Sequence, residues 1–202
     1  MAYKVLNNVS VKDVTSSDLL SLKTDLLVIV INKNTKDKVV NQLAKDVSSH
    51  LKESGSSVLV PNAKSFNAKN VLLVKGFQDS DQIHKLISMY QSIAQKGNQL
   101  KAKDISIMPG TVYPKGKCEM WLIEMVAKTI ESNVYIFSET CNKTAKKPSV
   151  RKLNILVSSL TKSDLIKAKN AAKKGYAIGE GVNSAKYLGD LPANHCTPRI
   201  IE

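Results

Sequence analysis

The chain has 202 residues, 43% of them apolar and 23% charged, which is room for one α/β domain of about 150 residues and an appendage. No run approaches about 18 consecutive apolar residues and the N-terminal stretch lacks an apolar signal core, so neither a membrane span nor a secretory leader is expected and the cytoplasm is the simplest compartment. The net charge of +13 comes from 28 lysines and only two arginines, Arg151 and Arg199; this argues against base-specific reading of DNA and leaves non-specific phosphate attraction open.

Taken in chain order, the first element is a short N-terminal strand at Tyr3–Leu6. Asp25–Ile31 follows, apolar on both faces as a central strand of a covered sheet should be. Val39, Val40, Leu43 and Val47 give a core-facing stripe to a helix over Lys36–Lys52. Ser57–Val60 reads as a short strand stopped by Pro61, and Asn70–Val74 as a buried strand before Gly76. The spacing of Ile83, Leu86, Ile87, Tyr90, Ile93 and Ala94 predicts a helix over Asp81–Gly97, with Gly97 as its stop. Asp104–Met108 alternates and ends at Pro109. Cys118–Ile130 is the third helix, and Asn133–Phe137 and Lys152–Val157 complete the strands. Strands separated by helices of 10–15 residues imply an α/β fold: a mixed, largely parallel sheet with helices on both faces.

The last helix is longer. Thr161 and Asp164 have the spacing of a capping box, and helical character runs through Leu165, Ala168, Ala172 and Tyr176 toward Leu188. Roughly 40 Å of helix suits a strut between two bodies. The expected division is a main domain at 1–160, a linker helix at 161–189 and the start of a second body at 190–202. Because Ile200-Ile201-Glu202 reads as the opening of another element, the chain is expected to be a fragment.

Chemistry is hard to find in these residues. His50, His84 and His195 have no metal-ligand spacing, and the adjacent pair His195-Cys196 reads as a turn. Cys118, Cys141 and Cys196 are odd in number and widely spaced, with no C-x-x-C. Glu119, Glu124 and Glu131 lie on or beside one helix without an acid/base arrangement. Gly175, Gly179 and Gly181 follow no strand, so they do not make a phosphate loop. The four-residue spacing of Gly175 and Gly179 instead predicts close approach of another backbone. The expected catalytic, cofactor-binding and metal sites within the chain are therefore none.

Charge supplies the one candidate surface. Residues 143–176 hold ten basic side chains and one acidic one. On the long helix Lys162, Lys169 and Lys173 fall on one stripe, and Lys167 and Lys174 on a second roughly 130° away. The plain reading is a solvated face; the functional reading is a ridge that contacts nucleic-acid phosphates.

The stretch Gly179-Glu180-Gly181-Val182-Asn183-Ser184-Ala185-Lys186-Tyr187-Leu188-Gly189-Asp190-Leu191-Pro192-Ala193-Asn194-His195-Cys196-Thr197-Pro198 resembles the linker of the leucyl (cytosol) aminopeptidase family. There a helix leads through a Pro-x-Asn turn to a Thr-Pro that opens the catalytic domain. Tyr187 stands where the family usually has Asp, at a position that is not a metal ligand. The resemblance implies that this chain is the non-catalytic N-terminal domain of an enzyme that removes N-terminal residues, often Leu, from peptides. It implies a macro-domain-like fold, a homo-hexameric parent in the cytoplasm, and two bridging divalent ions, Mn or Zn, held by Lys, Asp and Glu of an absent C-terminal domain. Some bacterial members also bind DNA. A small-ligand module like the macro domain is a weaker alternative, because no glycine-rich strand–helix loop supports it.

Overall fold

The structure is a computed structural model that describes residues 5–31, 53, 55–77, 83–110, 113–138, 147–158, 160–192 and 194–196. Six strands, β1 (Asn8–Asp13), β2 (Leu26–Ile31), β3 (Ser57–Pro61), β4 (Asn70–Lys75), β5 (Asp104–Met108) and β6 (Lys152–Val157), form one sheet in the order β1-β6-β5-β2-β4-β3. All neighbours are parallel except β3 and β4. The helices are α1 (Ser16–Ser21), α2 (Ile83–Gln99), α3 (Glu119–Val134) and α4 (Lys162–Asp190).

Alternation along the strands sorts their side chains to two faces. Leu26, Val28 and Val30 of β2 join Leu72, Val74, Ile105, Ile107, Leu153 and Ile155 under α2, α3 and α4. Leu27 and Ile29 point the other way, to Val71, Leu73 and Leu156, and are covered by Leu19 of α1 and by Ala63, Phe66 and Ala68. β2 is thus buried on both faces, as its unbroken apolar run predicts.

Two local elements carry signals that hydrophobic periodicity does not register. β1 has only Val9 and Val11 as apolar residues, and α1 spans six residues. The start of α1 is nevertheless specified: Thr15 Oγ1 accepts from Asp18 N at 3.3 Å, and Thr15 N donates to Asp18 Oδ2 at 2.9 Å. The expected strand at Tyr3–Leu6 is not formed by its described residues, Val5 and Leu6; the ladder with β6 starts at Asn8.

The expected strand at Asn133–Phe137 is also absent. The apolar stripe of α3 continues through Ile130 to Val134, which is fully buried, so the helix claims that residue. Residues 135–138 run beside α4: Tyr135 donates its hydroxyl to Asp190 Oδ2 at 2.9 Å, and the Phe137 and Tyr187 rings lie 6.3 Å apart. Gly97 does not stop α2, which reaches Gln99. A Cβ there would collide with Ile105 Cδ1, so this glycine lets α2 lie close on β5. The helix expected at Lys36–Lys52 lies outside the described residues.

α4 is held at its start by the predicted cap, Asp164 N to Thr161 Oγ1 at 3.1 Å. Its buried residues Ala168, Ala172, Gly175, Gly179 and Asn183 form one stripe against α3. Small side chains let the helix axes approach: a Cβ on Gly175 would overlap the Glu124 carbonyl group, and one on Gly179 would lie 2.7 Å from Glu131 Cβ. The close approach predicted from the glycine spacing is present. From Ala168 to Asn183 the helix packs on α3 rather than spanning open space.

Candidate functional site

The candidate lysines all lie on exposed positions of α4, and their neighbours divide them. Lys167 pairs with Asp164 at 3.0 Å and Lys174 with Glu124 at 3.1 Å. Lys162, Lys169 and Lys173 have no carboxylate within 4.0 Å among the described residues. The stripe separation expected from the helical period therefore has an electrostatic counterpart: one stripe is paired locally, and the other has no such partner among the described residues. Ile166, 62% exposed, flanks the stripe of Lys162, Lys169 and Lys173, about 20° beyond Lys173 around the helix. Charge spacing alone does not pick out this residue; an isoleucine on a lysine face was the available sign.

The structure brings together a second group that sequence reasoning missed. Glu131 is fully buried on α3, with no cation at hydrogen-bond distance among the described residues. Its Oε1 accepts from Val5 N at 2.8 Å and from Asn183 Nδ2 at 3.0 Å, and its Oε2 accepts from Leu6 N at 3.0 Å. Asn183 Nδ2 also reaches the Glu131 carbonyl oxygen at 3.0 Å. Tyr176 donates its hydroxyl to Leu6 O at 2.7 Å. One carboxylate thereby ties the N-terminal segment to α3 and α4. Burial pushes its pKa above the usual glutamate range, against the opposing pull of the two backbone N–H groups and Asn183.

Polar side chains also string across the second sheet face. Ser10 donates to Asn154 Oδ1 at 2.8 Å, Asn154 Nδ2 to Ser106 Oγ at 3.0 Å, Ser106 to Thr24 Oγ1 at 3.1 Å, and Thr24 to Asp104. Beside it Asp25 pairs with Lys69, which holds the Asp25 carboxyl below its usual range. Each member of the string is hydrogen-bonded to the next, which ties neighbouring strands together.

No group of three His, Cys, Asp or Glu side chains fit to hold a metal ion occurs among the described residues. His84 is exposed on α2. His195 and Cys196 lie in a turn, both donating backbone N–H to Pro192 O, in keeping with the turn expected there. His50 and Cys141 lie outside the described residues. No helix among the described residues is long and apolar enough to cross a membrane.

No protein-family model matches the chain. A probable cytosol aminopeptidase of Vesicomyosocius okutanii is 29% identical over 183 residues, covering 89% of this chain and 36% of that protein. A probable cytosol aminopeptidase of Azotobacter vinelandii is 27% identical over 199 residues, covering 92% of this chain and 39% of that protein. Among solved structures, a tomato leucine aminopeptidase mutant superimposes with a TM-score of 0.67 at 19% identity over 100% of this chain and 41% of its own, a likeness of fold. The chain thus spans well under half the length of the relatives it matches.

Proposed function

We propose that this chain, which is similar to cytosol aminopeptidases and shares the fold of a leucine aminopeptidase, is the non-catalytic N-terminal domain of such an enzyme. The observation that supports this reading is the pattern of coverage: the chain aligns with aminopeptidases over about nine-tenths of its own length and under two-fifths of theirs. The parent enzyme would remove N-terminal residues, often Leu, from peptides with two divalent ions, Mn or Zn, as a cytoplasmic homo-hexamer. Among the described residues no cluster of His, Cys, Asp or Glu fits that metal pair; on this reading its ligands would belong to the remainder of the enzyme. The domain's own work is mechanical: it presents α4, clasped to α3, as a fixed element. Titration of the purified chain with Mn or Zn, followed by calorimetry, is expected to show no stoichiometric uptake. Uptake of two equivalents would contradict the assignment.

A second reading, contact with duplex DNA, is favoured by one observation: Lys162, Lys169 and Lys173 are exposed on one stripe without a carboxylate partner among the described residues. If these lysines release counterions from DNA, binding at low salt weakens steeply as salt rises. Replacing all three with alanine is expected to flatten the slope of log K against log salt by roughly 0.9 for each phosphate no longer neutralised. Changing Lys167 and Lys174 instead should have the smaller effect, because their charges are already paired. Absence of low-salt binding, or equal weakening from both sets, removes this reading.

A further inference from the structure

β3 is the last strand of the sheet, and its hydrogen-bond register shows which groups it leaves unused. Asn62 N donates to Lys69 O at 2.9 Å and Lys75 N to Ser56 O at 2.9 Å. Between these two pairs the antiparallel alternation makes Val58–Leu73 and Val60–Val71 the hydrogen-bonded pairs. Ser57, Leu59 and Pro61 therefore turn their backbone groups outward, where no strand among the described residues meets them. They offer two N–H donors and three carbonyl acceptors, since Pro61 has no N–H. Beside this edge, between β3–β4 and α2, lies a groove of about 180 Å³. It is lined by the apolar Leu72, Val74, Met89 and Ile93 and by polar side chains that include Ser92 and Lys96. No carboxylate among the described residues lines it.

We propose that the outer edge of β3 and the groove beside it bind an extended peptide segment of another protein, which adds as a seventh strand and places an acidic side chain beside Lys96. Strand addition uses backbone bonds for affinity and alternate side-chain pockets for selection. The lining charge sets that selection: with Lys96 as its one charged side chain among the described residues, the groove suits a carboxylate better than a basic side chain. A second copy of the chain fits poorly. In a two-fold pair centred on Leu59 each Ser57 faces a Pro61, so a hydrogen bond is missing at either end, and two bodies of net charge +13 repel.

The test uses a fluorescent, end-capped nonapeptide alternating Thr, Val and Glu, with a counterpart in which Lys replaces Glu. Binding is followed by anisotropy, and the binding edge is located by backbone amide NMR. The acidic peptide is expected to bind at least about tenfold more tightly than the basic one. The Ser57 and Leu59 amides should shift. Lys96→Glu should abolish the preference, Lys96→Arg should keep it, and Lys12→Glu, on β1 at the opposite edge of the sheet, should leave it unchanged. Failure of both peptides to bind, equal binding, or a preference indifferent to Lys96→Glu overturns the proposal. So does a concentration-dependent dimer that shifts the same amides without peptide.

Discussion

Replacing Gly175 with alanine is expected to lower the unfolding midpoint by roughly 4–8 °C, whereas replacing Gly181, further along the same helix, should raise it by roughly 2–4 °C. Both changes remove the conformational freedom of a helical glycine, which favours folding by about 1 kcal/mol. They differ in what the new methyl group meets. At Gly181 a Cβ would have nothing within 4 Å. At Gly175 it would overlap the Glu124 carbonyl oxygen and lie 2.8 Å from its carbon, all backbone of α3. Backbone cannot rotate away, so α4 must move off α3 by on the order of 1 Å and loosen the packing of Ala168, Ala172 and Gly179. Overpacking of this kind costs about 3 kcal/mol, which exceeds the propensity gain. Thermal unfolding of the two variants in one buffer checks both signs. A neutral Gly175→Ala would mean that the helices do not touch there.

Removing the Glu131 side chain is expected to cost about 3 kcal/mol or more. Glu131→Ala leaves the N–H groups of Val5 and Leu6 and the Asn183 amide without their acceptor in a buried site, each at about 1–3 kcal/mol, and opens a void beside Gly179. The relief of an uncompensated buried charge offsets part of this. The pH dependence has a definite sign. Because burial raises the folded-state pKa above the ordinary 4.5, the folded protein holds this proton more tightly than the unfolded chain does. Stability from this group is therefore full below about 4.5 and declines as pH rises through the raised folded value. Glu131→Gln cannot titrate. The stability difference between the parent chain and Glu131→Gln should shift against the parent as pH is raised across that window and level off above it. Urea unfolding at several pH values measures the difference; a difference that favours the parent increasingly with pH would show that the three donors outweigh burial.

Much of the fold was legible because it rests on period and continuity. β2 and β4 are unbroken apolar runs and occupy interior positions, and Gly175 and Gly179 are four apart and face a helix. What was not legible depends on distant partners. Val134-Tyr135-Ile136-Phe137 has strand propensity, yet Val134 completes the α3 stripe, and Tyr135 and Phe137 are engaged by Asp190 and Tyr187, some 50 residues on. Propensity gives way when such partners compete. Glu131 follows Ile123 and Ala127 at four-residue spacing, and Asn183 follows Ala172, Gly175 and Gly179 on the matching stripe of α4. A polar residue on each of two apolar stripes was the readable sign of a buried joint. Its donors, Val5 and Leu6, lie more than 120 residues away and could not be named from spacing. The lysine ridge was found by angle alone, but its division into paired and unpaired charges needed Glu124 on another helix.

On the proposed reading, this chain supports an aminopeptidase without performing its chemistry. Hydrolysis of leucyl p-nitroanilide by the purified, protease-free chain, with Mn or Zn added, tests it most directly. The expected result is release of nitroaniline no faster than in a protein-free blank with either metal. Metal-dependent turnover proportional to the amount of chain would contradict the account.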